Sequence, residues 1–156
     1  MALREIRLLD DPILRKKSRE ITEINDRIRV LLDDMVDTMK EAEGVGLAAP
    51  QIGVLRRAVV IDVGEGPIKL INPEILEVKG EIIDVEGCLS IPGRSGKVPR
   101  PEWVKIKYLD IDGNENLLEG TGLLARAICH ELDHLDGILY IDKMIEEVIF
   151  EEDDEE

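Results

Sequence analysis

"TGLLARAICHELDHLDG", residues 121–137, decides the fold. Its apolar residues recur at helical spacing, and Gly137 is a fitting stop just past the last turn. The chain ahead of it reads differently. "RRAVVIDV", "IKLINPEILEV", "GEIIDVEG" and "EWVKIKYLDI" are strand-like runs, and "DIDGNEN" carries a hairpin turn with Asp112-Gly113-Asn114 at its tip. Earlier still, "INDRIRVLLDDMVDTMKEAEG" sets Ile28, Leu31, Leu32, Met35, Val36 and Met39 at a helical period, with Thr22 or Asn25 to cap the start and Gly44 to end it. Helix, then strands, then helix is an α+β order: antiparallel β-sheets packed around a C-terminal helix, with an N-terminal helix.

The 156 residues suit one domain with a real hydrophobic core, taken here as residues 1–156. Charged residues make up 35% and hydrophobic ones 44%, as in a soluble globular protein, but aromatics are only 3%, so Ile, Leu and Val must fill the core. The formal charge of −15 speaks against a nucleic-acid partner and against an anionic membrane surface. No apolar run reaches the length of a membrane span, and "MALREIRLLDDP" has no apolar stretch fit for a secretion signal. Two cysteines without an export signal place the chain in a reducing cytoplasm. The tail from about residue 146 to 156 ends in a like-charge block and reads as a solvated, frayed end rather than an acidic docking arm.

Within the last helix, His130 and His134 stand four residues apart, on one face, where both imidazoles can reach a single ion. Glu131 follows roughly 100° around the helix, beside the ion without ligating it, where a base acting on water is wanted. These are the only two histidines of the chain, which makes an accidental pairing a poor explanation. A third ligand is needed. Extending H-E-x-x-H to the metzincin pattern puts Tyr140 at the last position, Glu146 and Glu147 would need another helix folding back, Asp133 lies on the wrong face, and Cys129 is one helical step from its neighbour. Cys88 remains, flanked by Gly87 in "VEGCLSIPG" at the end of a strand-like run; a thiolate binds divalent iron or zinc well, although a lone cysteine is also a common small core residue.

Three segments together resemble the peptide deformylases: "GVGLAAPQIG" (Gly44 to Gly53), "EGCLS" (Glu86 to Ser90) and "HELDH" (His130 to His134). Their order and separation also fit, and the resemblance runs from about residue 3 to residue 144. It implies an α+β hydrolase that removes the N-formyl group from the initiator methionine of new bacterial polypeptides and releases formate. It further implies one metal ion held by Cys88, His130 and His134, usually Fe2+, with Zn2+, Ni2+ or Co2+ able to replace it. Three protein ligands leave the fourth position that a catalytic site requires.

The resemblance also assigns roles. Glu131 is the general base, and the oxyanion is held by the Gln51 side chain and the backbone N–H of Leu89. The small residues around Gly46 let main chain pass close to a substrate. Leu123 and Ala127 share a helix face with His130, and Val45 lies in the first motif; these three are candidates for the methionine slot, with ordinary core packing as the competing reading. Arg100 in "VPRPEW" either pairs with Asp133 and steadies the histidine helix, as similar residues do in the family, or is a solvent-exposed arginine.

One departure stands out. Some members carry a long basic C-terminal helix that docks on the ribosome, whereas this chain stops soon after Met144 and ends in acid, which leaves ribosome association open. Two rival readings make separate forecasts. A metalloendopeptidase needs a third ligand other than cysteine. A non-catalytic metal module needs four closed ligands, with Cys129 as the fourth, and has no use for Glu131.

Overall fold

The structure is a computed structural model, and it describes residues 2–149. Helix α1 spans Asp26–Glu41, and Asn25 is its cap, its side chain accepting from the Ile28 N–H. The expected face is buried: Leu31, Leu32, Met35, Val36 and Met39 all point inward. Gly44 does not end this helix. The left-handed residue is Glu43 (φ 60), and Gly44 donates its N–H back to the Met39 carbonyl. The lack of a side chain at position 44 serves packing instead, since a Cβ there would lie 2.7 Å from Leu89 Cδ1.

Among the described residues eight strands follow: β1 (Gly46–Ala48), β2 (Ala58–Ile61), β3 (Ile68–Lys79), β4 (Ile82–Cys88), β5 (Ile91–Arg100), β6 (Trp103–Leu109), β7 (Glu115–Thr121) and β8 (Glu146–Val148), with helix α2 (Gly122–Leu135) before the last. They form a five-stranded sheet in the order β1-β2-β3-β6-β7 and a three-stranded sheet in the order β4-β5-β8. Every pair of named strands is antiparallel. The fold is α+β, and the hairpin read at "DIDGNEN" joins β6 to β7 with Gly113 at positive φ.

"AVVI" in β2 is apolar without alternation because both of its faces are covered. Ala58 and Val60 pack with α1, and Val59 and Ile61 pack with Ala125, Ile128 and Leu132 of α2. The histidine helix therefore lies against one face of the larger sheet while α1 holds the other. Gly137 does end α2: it sits at φ 77, its N–H returns to the His134 carbonyl, and Ile138 donates to the Asp133 carbonyl.

Glu146–Val148, inside the stretch expected to fray, is strand β8 instead, paired with β5. Arg94 and Glu147 form an ion pair across that pairing at 2.9 Å, a local reason for the order. Residues 150–156 of the expected tail lie outside the described residues. No helix among the described residues is long and apolar enough to cross a membrane.

Candidate metal centre and active site

The end of β4 meets the middle of α2. There the ligand atoms of Cys88, His130 and His134 lie within 4.8 Å of one another, and among the described residues this is the one such group. Cys88 Sγ is 3.3 Å from His134 Nε2, and the two imidazole rings stand edge to face, 5.0 Å between centroids. Nδ1 of His130 is bonded to the Glu86 carboxylate, which turns Nε2 toward the cluster. Nδ1 of His134 is buried without a partner among the described residues. Cys129 stays outside: it packs in the core beside α2's other buried residues, and burial pushes its thiol up to about 11. Both rival ligand sets, one without Cys88 and one closed by Cys129, are missing from the described residues.

The electrostatics fit a cation. Burial alone would pull the His130 pKa down, yet Glu131, Cys88 and Glu86 around it outweigh burial and raise it well above its ordinary value. His134, with burial and His130 both acting against charge, is held well below. The Glu86 carboxylate thus favours positive charge at this point, and the second imidazole is kept neutral, which is the state a metal ligand needs.

Glu131 is buried beside His130, its Oε2 3.9 Å from His130 Nε2, and its Oε1 has no hydrogen-bond partner among the described residues. Burial pushes its carboxyl up to about 7, against the pull of His130. Gly46 of β1 makes room for it: a Cβ there would fall 2.6 Å from Glu131 Oε2.

Gln51 is 1% exposed, and its side chain is aimed by three contacts. Oε1 accepts from the Ala48 N–H at 2.9 Å, while Nε2 donates to Ser90 Oγ at 3.1 Å and approaches Cys88 Sγ at 3.6 Å. Leu89 follows Cys88 in the turn, and its N–H makes none of the turn or loop backbone bonds. These residues border a cavity of about 360 Å³ that Val45, Gly46, Leu123 and Ala127 also line. Val45 and Leu123 are exposed at its mouth and Ala127 is buried, so the structure brings all four to the metal cluster. The cavity lies between two sheet edges, since β1 ends the larger sheet and β4 the smaller. A wider groove of about 1220 Å³, lined by Arg19, Arg27, Ile21 and Leu55 among others, holds none of the cluster.

Arg100 is buried rather than solvent-exposed, and it does reach Asp133, at 2.8 Å. Its main partner was not foreseen. Glu86 takes both remaining arms of the guanidinium, at 3.0 and 2.7 Å, and accepts from Arg126 at 2.9 Å as well as holding His130. Burial would raise the Glu86 pKa, but the bonds from His130 and Arg100 win and hold it at about 2. Tyr140, at the place where the metzincin pattern would have a histidine, stacks near the His130 ring at 6.3 Å instead of ligating. The signals for the missed residues were local. Glu86 sits two residues before Cys88, on the same face of a strand, and Arg126 interrupts an apolar helix face one turn before His130.

Comparison with known proteins agrees with this geometry. Residues 3–148 match the family described as polypeptide deformylase. The peptide deformylase of Caldicellulosiruptor bescii is 61% identical over 97% of this chain and 92% of its own length. That of Alkaliphilus metalliredigens is 60% identical over 94% of this chain and the whole of its own. The crystal structure of peptide deformylase from Thermotoga maritima superposes with a TM-score of 0.90 at 40% identity, covering 92% of this chain and 99% of that one.

Proposed function

The chain belongs to the polypeptide deformylase family, and on that premise we propose how its own residues divide the work. As a deformylase it is a metal-dependent hydrolase that removes the N-formyl group from nascent polypeptides. The observation that carries the residue-level reading is the convergence of Cys88, His130 and His134 within 4.8 Å, with the buried Glu131 beside them.

Cys88, His130 and His134 would hold the ion, and Glu86 fixes the tautomer of His130 by accepting a hydrogen bond from its Nδ1–H. A divalent cation in that place supplies Lewis acidity for the attack of water on the formyl carbon. Glu131 takes the proton of the attacking water and returns it to the leaving amine, and its burial favours holding that proton between the two steps. The oxygen that becomes negative is met by the Leu89 N–H and by Gln51 Nε2, whose amide is fixed by the Ala48 N–H at its Oε1. The extended start of the substrate pairs with the free edge at Gly46, and its first side chain enters the space bordered by Val45, Leu123 and Ala127. Formyl is the smallest acyl group, so the close packing of Gly46 on Glu131 and of Gly44 on Leu89 rejects acetyl by shape. Arg100 and Asp133 hold α2 against β5 and keep the histidines in register.

Ferrous iron is the native ion in this reading, and Zn2+, Ni2+ or Co2+ fit the same ligands. The whole chain acts as one catalytic domain in the cytoplasm, on formylmethionyl chains, without a direct nucleic-acid or membrane partner. Formate release from a formyl-Met tripeptide tests it, with enzyme prepared anaerobically with ferrous iron. Formate from the formyl peptide, and no acetate or free amine from the acetyl peptide, is expected. A sample holding stoichiometric metal that releases no formate would sink the assignment.

A further inference from the structure

The cavity beside the metal cluster carries a guanidinium that the hydrolytic steps do not use. Arg126 lines it and is 9% exposed. Nη1 donates to Glu86 Oε1 and to the Val98 carbonyl, both at 2.9 Å, and Nη2 donates to the Ile82 carbonyl at 2.8 Å. A guanidinium has five N–H groups, so three are matched here. The Nε–H and the second Nη2 hydrogen have no acceptor among the described residues. Nε is not one of the buried polar atoms left without a partner, so it reaches the accessible part of the side chain, and the space that side chain lines is the cavity. The bonds to β4 and β5 hold the plane of the guanidinium in place.

A slot that took only methionine would gain little from such a donor, because a thioether sulfur is a weak acceptor. Methionine sulfoxide is different. Its chain has the same length, and the sulfur now bears an S=O oxygen that is a polar acceptor. We infer that this enzyme also deformylates chains whose initiator methionine is oxidised to the sulfoxide, with Arg126 donating a hydrogen bond to the sulfoxide oxygen. The inference rests on the methionine slot placed in this cavity above. The reaction itself is unchanged: water adds to the formyl carbon, the C–N bond breaks, formate and the free amine leave, and the sulfoxide is not reduced. A donor fixed in position distinguishes the two sulfoxide epimers.

The test compares kcat/KM for formyl-Met, formyl-norleucine and the two resolved formyl-Met-sulfoxide tripeptides, on the metal-loaded native enzyme and on Arg126→Met. Ratios between substrates do not depend on the fraction of enzyme that is folded. The better sulfoxide epimer should be cleaved within about thirtyfold of formyl-Met by the native enzyme. In the variant that ratio should worsen by about tenfold, the worth of one hydrogen bond, while the ratio of formyl-Met to formyl-norleucine stays. A native deficit larger than thirtyfold for both epimers overturns the inference whether or not the variant folds, and leaves the deformylase reading standing. An unchanged ratio in Arg126→Met overturns the role of Arg126. Failure on formyl-Met itself removes the premise, and the inference with it.

Discussion

A methyl group at position 46 would sit 2.6 Å from Glu131 Oε2, so Gly46→Ala must displace the carboxylate or the strand. A base moved by about 1 Å costs on the order of a hundredfold in rate. We expect Gly46→Ala to lower kcat by roughly that factor with a smaller change in KM, read from formate release; an unchanged kcat would mean that the contact is not felt. At this scale the sequence was most legible where chemistry demands a residue type at a fixed spacing. His130, Glu131 and His134 follow from helical geometry, and Cys88 followed from the want of a third ligand. Glu86 and Arg126 did not, because a carboxylate in a strand is ordinarily solvated. Only the packing of α2 on β4 makes it a buried partner for His130, Arg100 and Arg126. Arg100 keeps two readings in the sequence for the same reason: burial, which decides between them, is not written in "VPRPEW".

At the scale of elements, α2 and the smaller sheet are joined by one buried ionic knot, in which Glu86 of β4 meets Arg100 of β5 and both Arg126 and His130 of α2. Such a partner behind a ligating histidine is worth about 10–100-fold in metal affinity. Glu86→Gln should therefore lose metal to a competing chelator at about 10–100-fold lower chelator activity than the native chain, while keeping the antiparallel fold by far-ultraviolet dichroism. Equal retention would mean that His130 is held by packing alone. The two helices and the longer apolar strands were readable, since period and burial agree in them. Strand β5 was not: "IPGRSGKVPR" carries two prolines and two glycines, and it becomes a strand because β4 and β8 pair with it on either side. Three-residue β1 and β8 are likewise products of their partners, too short for any period to show.

For the whole molecule, the acidic surface and the ionic knot respond to pH in a definite sense. Glu86 is held at about 2 in the folded state against 4.5 ordinarily. A depressed carboxyl contributes stability that is full above the unfolded pKa and is lost as the pH falls from about 4.5 through about 2. The native chain should exceed Glu86→Gln in denaturant stability at about pH 6, and the gap should narrow by on the order of 2 kcal/mol by about pH 2.5. A gap independent of pH would show that the carboxylate contributes by size rather than charge. Metal adds a second linkage, because an ion that binds only the folded chain raises its melting temperature. That rise should be present in the native protein and lost in Cys88→Ser; a rise of equal size in the variant would place the ion elsewhere.

The most direct test of the assigned site pairs formate release with metal content in Glu131→Ala. Both proteins would be loaded anaerobically with ferrous iron and assayed on a formyl-Met tripeptide. The site described here predicts that the variant keeps its ion on Cys88, His130 and His134 yet loses at least about a hundredfold in kcat. A variant that holds its metal and still releases formate at the native rate would contradict the role of Glu131 as the base, and with it the account of how this centre works.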